Sequence, residues 1–147
     1  MRHRLEYAMV WPMIKFIGFL PRPLARFVGL LLAGVVYHLH PRLRRVGLRN
    51  LEIALPELPL KERRRIVRGV FRSLGRLLAE FCLFPKYSRE NVSQIAVYEG
   101  FENFDAAHRR GKGVLFLTAH MGAWEVGSFV HSVHGHTLHV EIGRAHV

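Results

Sequence analysis

A chain of 147 residues that is half apolar can build one sizeable core and is too rich in core-forming side chains to be disordered. Its single cysteine, Cys82, excludes an internal disulfide and argues against a cysteine-built metal site, and its single aspartate, Asp105, excludes chemistry that needs paired aspartates. The net charge of +11 is unevenly placed: residues 1–89 hold 18 of the 22 Lys and Arg and also most of the long apolar runs, a pairing that suits an anionic membrane surface better than nucleic acid.

The chain opens with an apolar segment from Tyr7 to Leu20, interrupted by Pro12 and Lys15 and ended by Pro21-Arg22-Pro23. A second segment, Phe27 to Pro41, carries no formal charge. Neither reaches the ~18–20 apolar residues of a transmembrane helix. With basic flanks, and with Trp11 and Tyr37 near their ends, they read as interfacial or obliquely inserted anchors within residues 1–41, the alternative being a buried hairpin of core helices. Arg42, Arg44, Arg45 and Arg49 follow at once and, by the positive-inside rule, predict that the bulk of the chain faces the cytoplasm.

Residues 42–94 read as a basic amphipathic helical region. Its main helix is expected at about Leu60 to Leu83, where Ile66, Val67, Val70, Phe71, Leu74, Leu77, Leu78 and Phe81 recur at a period of 3.6. Arg65, Arg68, Arg72 and Arg76 recur at steps of three and four and are expected to form one stripe opposite the core face. Such a stripe is either a solvated face or a contact for something acidic, and guanidinium groups favour bidentate bonds to phosphate or carboxylate. Glu80 is expected to pair with Arg76.

From residue 95 the pattern changes. Ile95 to Tyr98 reads as a strand, Phe101 to Arg110 as a helix ended by Gly111, Val114 to Leu117 as a buried strand, Ala123 to Val133 as a helix, and Leu138 to Val140 as a third strand. The expected fold class is therefore α/β: membrane-associated helices followed by the first β-α-β-α-β part of a parallel sheet domain over residues 95–140, incomplete in this chain. At the mouth of the second strand stand Thr118, His120, Gly122, Trp124 and Glu125, where ligands sit in α/β sheets. An imidazole oriented by a carboxylate can remove a proton near neutral pH. The alternative is a loop histidine and a solvated glutamate placed where the helix dipole favours negative charge. Gly111-Lys112-Gly113 precedes its strand and lacks the Walker A spacing, so it is not read as a phosphate loop. His131, His134, His136 and His139 lack a completing ligand set, so no metal is assigned.

The run Gly111-Lys112-Gly113-Val114-Leu115-Phe116-Leu117-Thr118-Ala119-His120-Met121-Gly122-Ala123-Trp124-Glu125 resembles the signature block of the bacterial lipid A biosynthesis (lauroyl/myristoyl, late) acyltransferases, which share a His-x4-acid motif with glycerolipid acyltransferases. Arg49 to Glu57, Glu62-Arg63, Phe71 to Gly75 and Glu99 to Asn103 resemble further family blocks in the same order. The resemblance implies His120 as general base, Glu125 as its partner, and Thr118, Gly122 and Trp124 at the substrate. It implies an acyl carrier protein or acyl-CoA donor, a glycolipid acceptor and no cofactor, at the cytoplasmic face of a bacterial inner membrane. Arg65, Arg68, Arg72 and Arg76 would then meet the acidic carrier or lipid phosphates. Ala123 stands where many members carry Asn, which leaves the acceptor open between a lipid A precursor and another glycolipid such as a phosphatidylinositol mannoside.

Residues 141–147 do not resemble the family, and the chain reads as an N-terminal fragment, itself inactive, of an O-acyltransferase. The rival from another class is a non-enzymatic basic module that binds membrane surfaces, with His120 and Glu125 structural.

Overall fold

The computed structural model describes residues 2–118 and 122–139. The chain divides into two compact units, Met1–Lys86 and Tyr87–Val147.

In the first unit proline sets the punctuation. Helix α1 (Arg2–Phe19) runs through Pro12. Helix α2 (Arg22–Leu39) begins after Pro21, α3 (Pro41–Ala54) has proline at its first position, and α4 (Leu60–Leu83) begins after Pro59. Proline's fixed φ suits the entry to a helix and its missing N–H is no loss there. Helix α4 occupies the span that the apolar period predicts.

Helix α4 packs against α1, α2 and α3, and it meets α2 through small residues. Ala25, Gly29 and Ala33, four apart, put the smallest side chains of α2 on one face, and Gly75 and Ala79 do the same on α4. A Cβ on Gly29 would lie 2.2 Å from the Gly75 carbonyl oxygen, and one on Gly75 would lie 2.5 Å from that of Gly29. The backbones therefore meet directly, as small-xxx-small faces allow. Gly18 of α1 meets the Cys82 carbonyl in the same way, and Ile17 is fully buried beside this contact region of the unit's core.

Charged groups clasp this packing from its edges. Glu80, buried on α4, accepts a hydrogen bond from Arg22 Nε at 3.0 Å and lies 3.9 Å from Arg26 Nε, so its partners are on α2 and the expected pair with Arg76 does not form. Lys86 Nζ donates to the carbonyl oxygens of Phe19 and Leu20, both at 2.9 Å, which satisfies acceptors left open at the end of α1. Arg63 donates to Leu58 O at 2.7 Å and Pro56 O at 2.9 Å and fixes the turn between α3 and α4.

The second unit holds a 3-10 turn (Val92–Gln94), α5 (Phe101–His108) and α6 (Trp124–Val133). Gly100, at φ 75°, supplies the left-handed residue before α5. The expected β-α-β-α-β sheet is not formed: no strand occurs among the described residues. Ile95 and Ala96 instead donate back to Val92 O and close the 3-10 turn. Residues 113–118 have no regular structure, and Leu115 and Leu117, expected to be buried, are 95% and 100% exposed. Leu138 and His139 pair with no ladder, and Val140 lies outside the described residues. The physical reason is that a strand is made by its neighbour. Apolar side chains give a segment something to bury, but the ladder needs a second backbone in register, and none is present among the described residues.

Rings hold this unit together. Phe104 lies 4.7 Å from His131, 4.8 Å from His136 and 5.5 Å from Phe116 between ring centroids. Tyr98 packs on Phe101 at 5.2 Å, and its hydroxyl is hydrogen-bonded to His131 Nδ1 at 3.2 Å.

Candidate active site

Of the residues singled out for acyl-transfer chemistry, Gly122, Trp124 and Glu125 stand at the start of α6. Gly122 has φ 69°, a left-handed conformation that glycine adopts without strain, and it turns the chain into Ala123, the N-cap. Ala123 has no side chain that can cap the free N–H groups of the first helical turn. Trp124 and Glu125 occupy that turn, both half-buried, and Ser128 Oγ donates to Trp124 O at 3.3 Å one turn on. Thr118 and Gly122 are exposed.

Glu125 is the informative member. Its Oε2 is buried and meets no hydrogen-bond partner among the described residues. A carboxylate oxygen withdrawn from water without a donor is costly. The positive end of the α6 dipole lowers that cost in part. His120, its expected partner, lies outside the described residues, so the structure describes the carboxylate side of the pair and says nothing of the imidazole.

The four arginines of α4 differ in their neighbours. Arg65 pairs with Glu62 at 2.6 Å. Arg68 and Arg72 turn toward α2 and line a cavity of about 270 Å³ with Tyr37 and Phe71, and Arg76 is exposed. All four are exposed on α4, and the middle two also reach the last turn of α2 at Tyr37.

Sequence reasoning passed over His131 as anything but a rejected metal ligand. It is buried, and burial lowers its pKa below the ordinary imidazole range, with His136, His134 and His108 adding to the effect. The signal was present as apolar neighbours, Val130 and Val133, on a helix that also carries Phe129.

The profile of the bacterial lipid A biosynthesis acyltransferases matches residues 2–140. The chain belongs to that family. Among its relatives is the lipid A biosynthesis palmitoleoyltransferase of Escherichia coli (strain K12), 27% identical over 111 residues, which cover 76% of this chain and 36% of that protein. A lipid A biosynthesis acyltransferase of Haemophilus influenzae is 30% identical over 113 residues, 74% of this chain and 36% of its own length, and one of Shigella flexneri is 27% identical over 111 residues. This family member therefore spans about a third of the length of the curated relatives it matches. No solved structure matches it.

Proposed function

We propose that this chain is part of an O-acyltransferase that moves a fatty acyl chain from acyl carrier protein or acyl-CoA to a hydroxyl of a lipid A precursor at the cytoplasmic face of a bacterial inner membrane. The observation that carries the reading is the buried, unpartnered oxygen of Glu125, five residues after a histidine, in a chain matched to the family from residue 2 to residue 140. That oxygen needs a donor, and an imidazole N–H is one that a carboxylate orients for base catalysis.

In this mechanism His120 takes the proton of the acceptor hydroxyl as its oxygen forms a bond to the thioester carbonyl carbon. The tetrahedral oxyanion collapses, the C–S bond breaks, and the imidazolium returns its proton to the leaving thiolate. Backbone N–H groups near Gly122, which no side chain caps, are suited to the oxyanion. Trp124 offers an apolar wall and Thr118 a hydroxyl at the edge of the site. No covalent enzyme intermediate is required. Membrane association is supported by α2, which among the described residues is the one helix long and apolar enough to cross a bilayer by length and composition, and by the exposed Trp11, Phe16 and Phe19 of α1.

The test is acyl transfer from acyl carrier protein to a lipid A precursor by membranes holding a protein of the relatives' length that carries this chain. His120→Ala and Glu125→Ala are each expected to lower transfer on the order of 100-fold or more at unchanged protein level. Activity that survives both substitutions would make the pair structural and sink the assignment. Transfer to a phosphatidylinositol mannoside and none to the lipid A precursor would move the acceptor.

A further inference from the structure

Two guanidinium groups from two helices lie over one tyrosine in the first unit, and a third arginine lines the cavity beside it. The Arg44 side chain of α3 lies over the Tyr37 ring with its guanidinium carbon 5.1 Å from the centroid, and Arg68 of α4 lies over the same ring at 5.8 Å. Arg72, one turn on, lines the adjoining cavity of about 270 Å³ with Arg68, Tyr37 and His38. Phe71 meets the Tyr37 ring edge-on at 5.3 Å and holds it in place. Like charges around one small cavity repel one another, and an anion there would offset that repulsion. Elsewhere in the unit Arg22, Arg49, Arg63 and Arg65 each meet a carboxylate. Among the described residues Arg44, Arg68 and Arg72 meet none, as is true of Arg42, Arg45, Arg64 and Arg76; what sets these three apart is the shared tyrosine and its cavity.

We propose that Arg44, Arg68 and Arg72, arranged about Tyr37, bind the phosphate of a phosphomonoester-headed membrane lipid. Planar guanidinium forks match phosphate oxygens bidentately. Three of them oppose a dianionic monoester better than a singly charged diester. The floor of the cavity is apolar, formed by Leu30, Ala33 and Gly34 of α2. Leu30 and Gly34 share a helix face with Phe27 and Leu31, both exposed at 57% and 55%, so apolar surface continues from the cavity along α2. A cationic pocket opening onto an apolar helix face fits an anionic head with acyl chains attached. The site stands on the first unit alone and does not depend on His120 or Glu125.

The experiment is flotation of the full chain with phosphatidylcholine vesicles doped with phosphatidic acid, and with vesicles doped with phosphatidylglycerol to the same surface potential. Stronger binding to phosphatidic acid is expected. Replacing Arg68 and Arg72 together by Gln should lower that binding about tenfold or more. The same replacement of Arg65 and Arg76 removes equal charge from outside the pocket and should cost far less. Arg44→Gln, on a different helix, should reproduce the loss if the double variant fails to fold by circular dichroism. Arg68→Lys with Arg72→Lys should fall between wild type and the Gln pair, because charge remains and the forks do not. Equal losses from the two Gln pairs, or equal binding to the two anionic vesicles, would mean an undifferentiated basic face and overturn the proposal. Inorganic phosphate is expected to displace the protein only at concentrations at least tenfold above the lipid phosphate. Displacement at matching concentration would assign the site to free phosphate instead and overturn the lipid.

Discussion

The two units solve the burial problem with opposite materials. In Met1–Lys86, glycine and alanine bring helix backbones into contact, and large apolar side chains such as Phe27 and Phe19 are left outside. In Tyr87–Val147, short helices meet through Phe and His rings, and the apolar run at Val114–Leu117 stays largely open. The first arrangement tolerates no added atoms at its seam and exposes surface that suits lipid. The second tolerates substitution of shape but depends on keeping the buried His131 uncharged. Each should therefore break under a different stress.

The largest expected effect is at the seam. Gly29→Leu places side-chain atoms where a Cβ alone would lie 2.2 Å from the Gly75 carbonyl oxygen, an atom of the backbone that cannot swing aside. A loss of roughly 3 kcal/mol or more is expected from overpacking, read as a lower thermal midpoint of the helical circular dichroism signal. Gly69→Ala is the matched control on α4. A Cβ there meets nothing within 4 Å, so the change should stabilise by about 0.5–1 kcal/mol through helix propensity. If the two substitutions behave alike, backbone contact is not what joins α2 to α4.

A smaller effect separates packing from turn geometry in the same unit. Arg63→Ala removes two donors from the Pro56 and Leu58 carbonyls and a charge 3.7 Å from Glu52. The expected cost is about 1–2 kcal/mol. It should appear in hydrogen exchange as faster opening of the α3–α4 turn, with the α2–α4 seam protected as before. Faster exchange across the seam would mean that the turn and the seam open as one.

Helix α4 of the first unit was legible because its signal is local, whereas α3 was not read as a separate helix. Pro59 marks a helix entry wherever the chain goes next, and the apolar period of residues 60–83 is a property of one helix; Pro21 and Pro41, read as the ends of apolar segments, prove to open α2 and α3. The seam was not legible. Ala25, Gly29 and Ala33 show their spacing in sequence, but it acquires meaning only beside Gly75 and Ala79, about fifty positions on. The same limit explains the strands. Val114 to Leu117 has strand composition, yet a ladder is a relation between segments, and composition reports one segment only. The candidate site was legible as a pattern, His120 with Glu125. What the pattern could not reveal is that one oxygen of Glu125 is withdrawn from water with no donor among the described residues, which is the physical reason to treat that side chain as more than a helix-start acid.

The smallest effect probes the second unit, and its sign can be fixed in advance. Burial lowers the His131 pKa first, and the nearby His136, His134 and His108 lower it further. The folded unit therefore holds His131 neutral at pH values where the unfolded chain would already be protonated. Below the ordinary imidazole value, about 6.5, the unfolded state binds more protons, so stability falls as pH falls. The contribution is complete above that value and is lost as the pH drops through the depressed value in the folded unit. Protonation also converts Nδ1, where it acts as acceptor for the Tyr98 hydroxyl, into a second donor, and places a positive charge among Phe104, Phe116 and three other imidazoles. Ring-proton NMR of Tyr98 and Phe104 in the full chain should show these contacts loosening on mild acidification. The amide signals of the α2–α4 seam, which contains no histidine, should hold. His131→Phe keeps a ring of similar shape and removes the titrating group, so the acid-induced loosening should become shallower. A wild-type chain whose two units lose order together at the same pH would deny the contrast between a seam of backbones and a cluster of imidazoles.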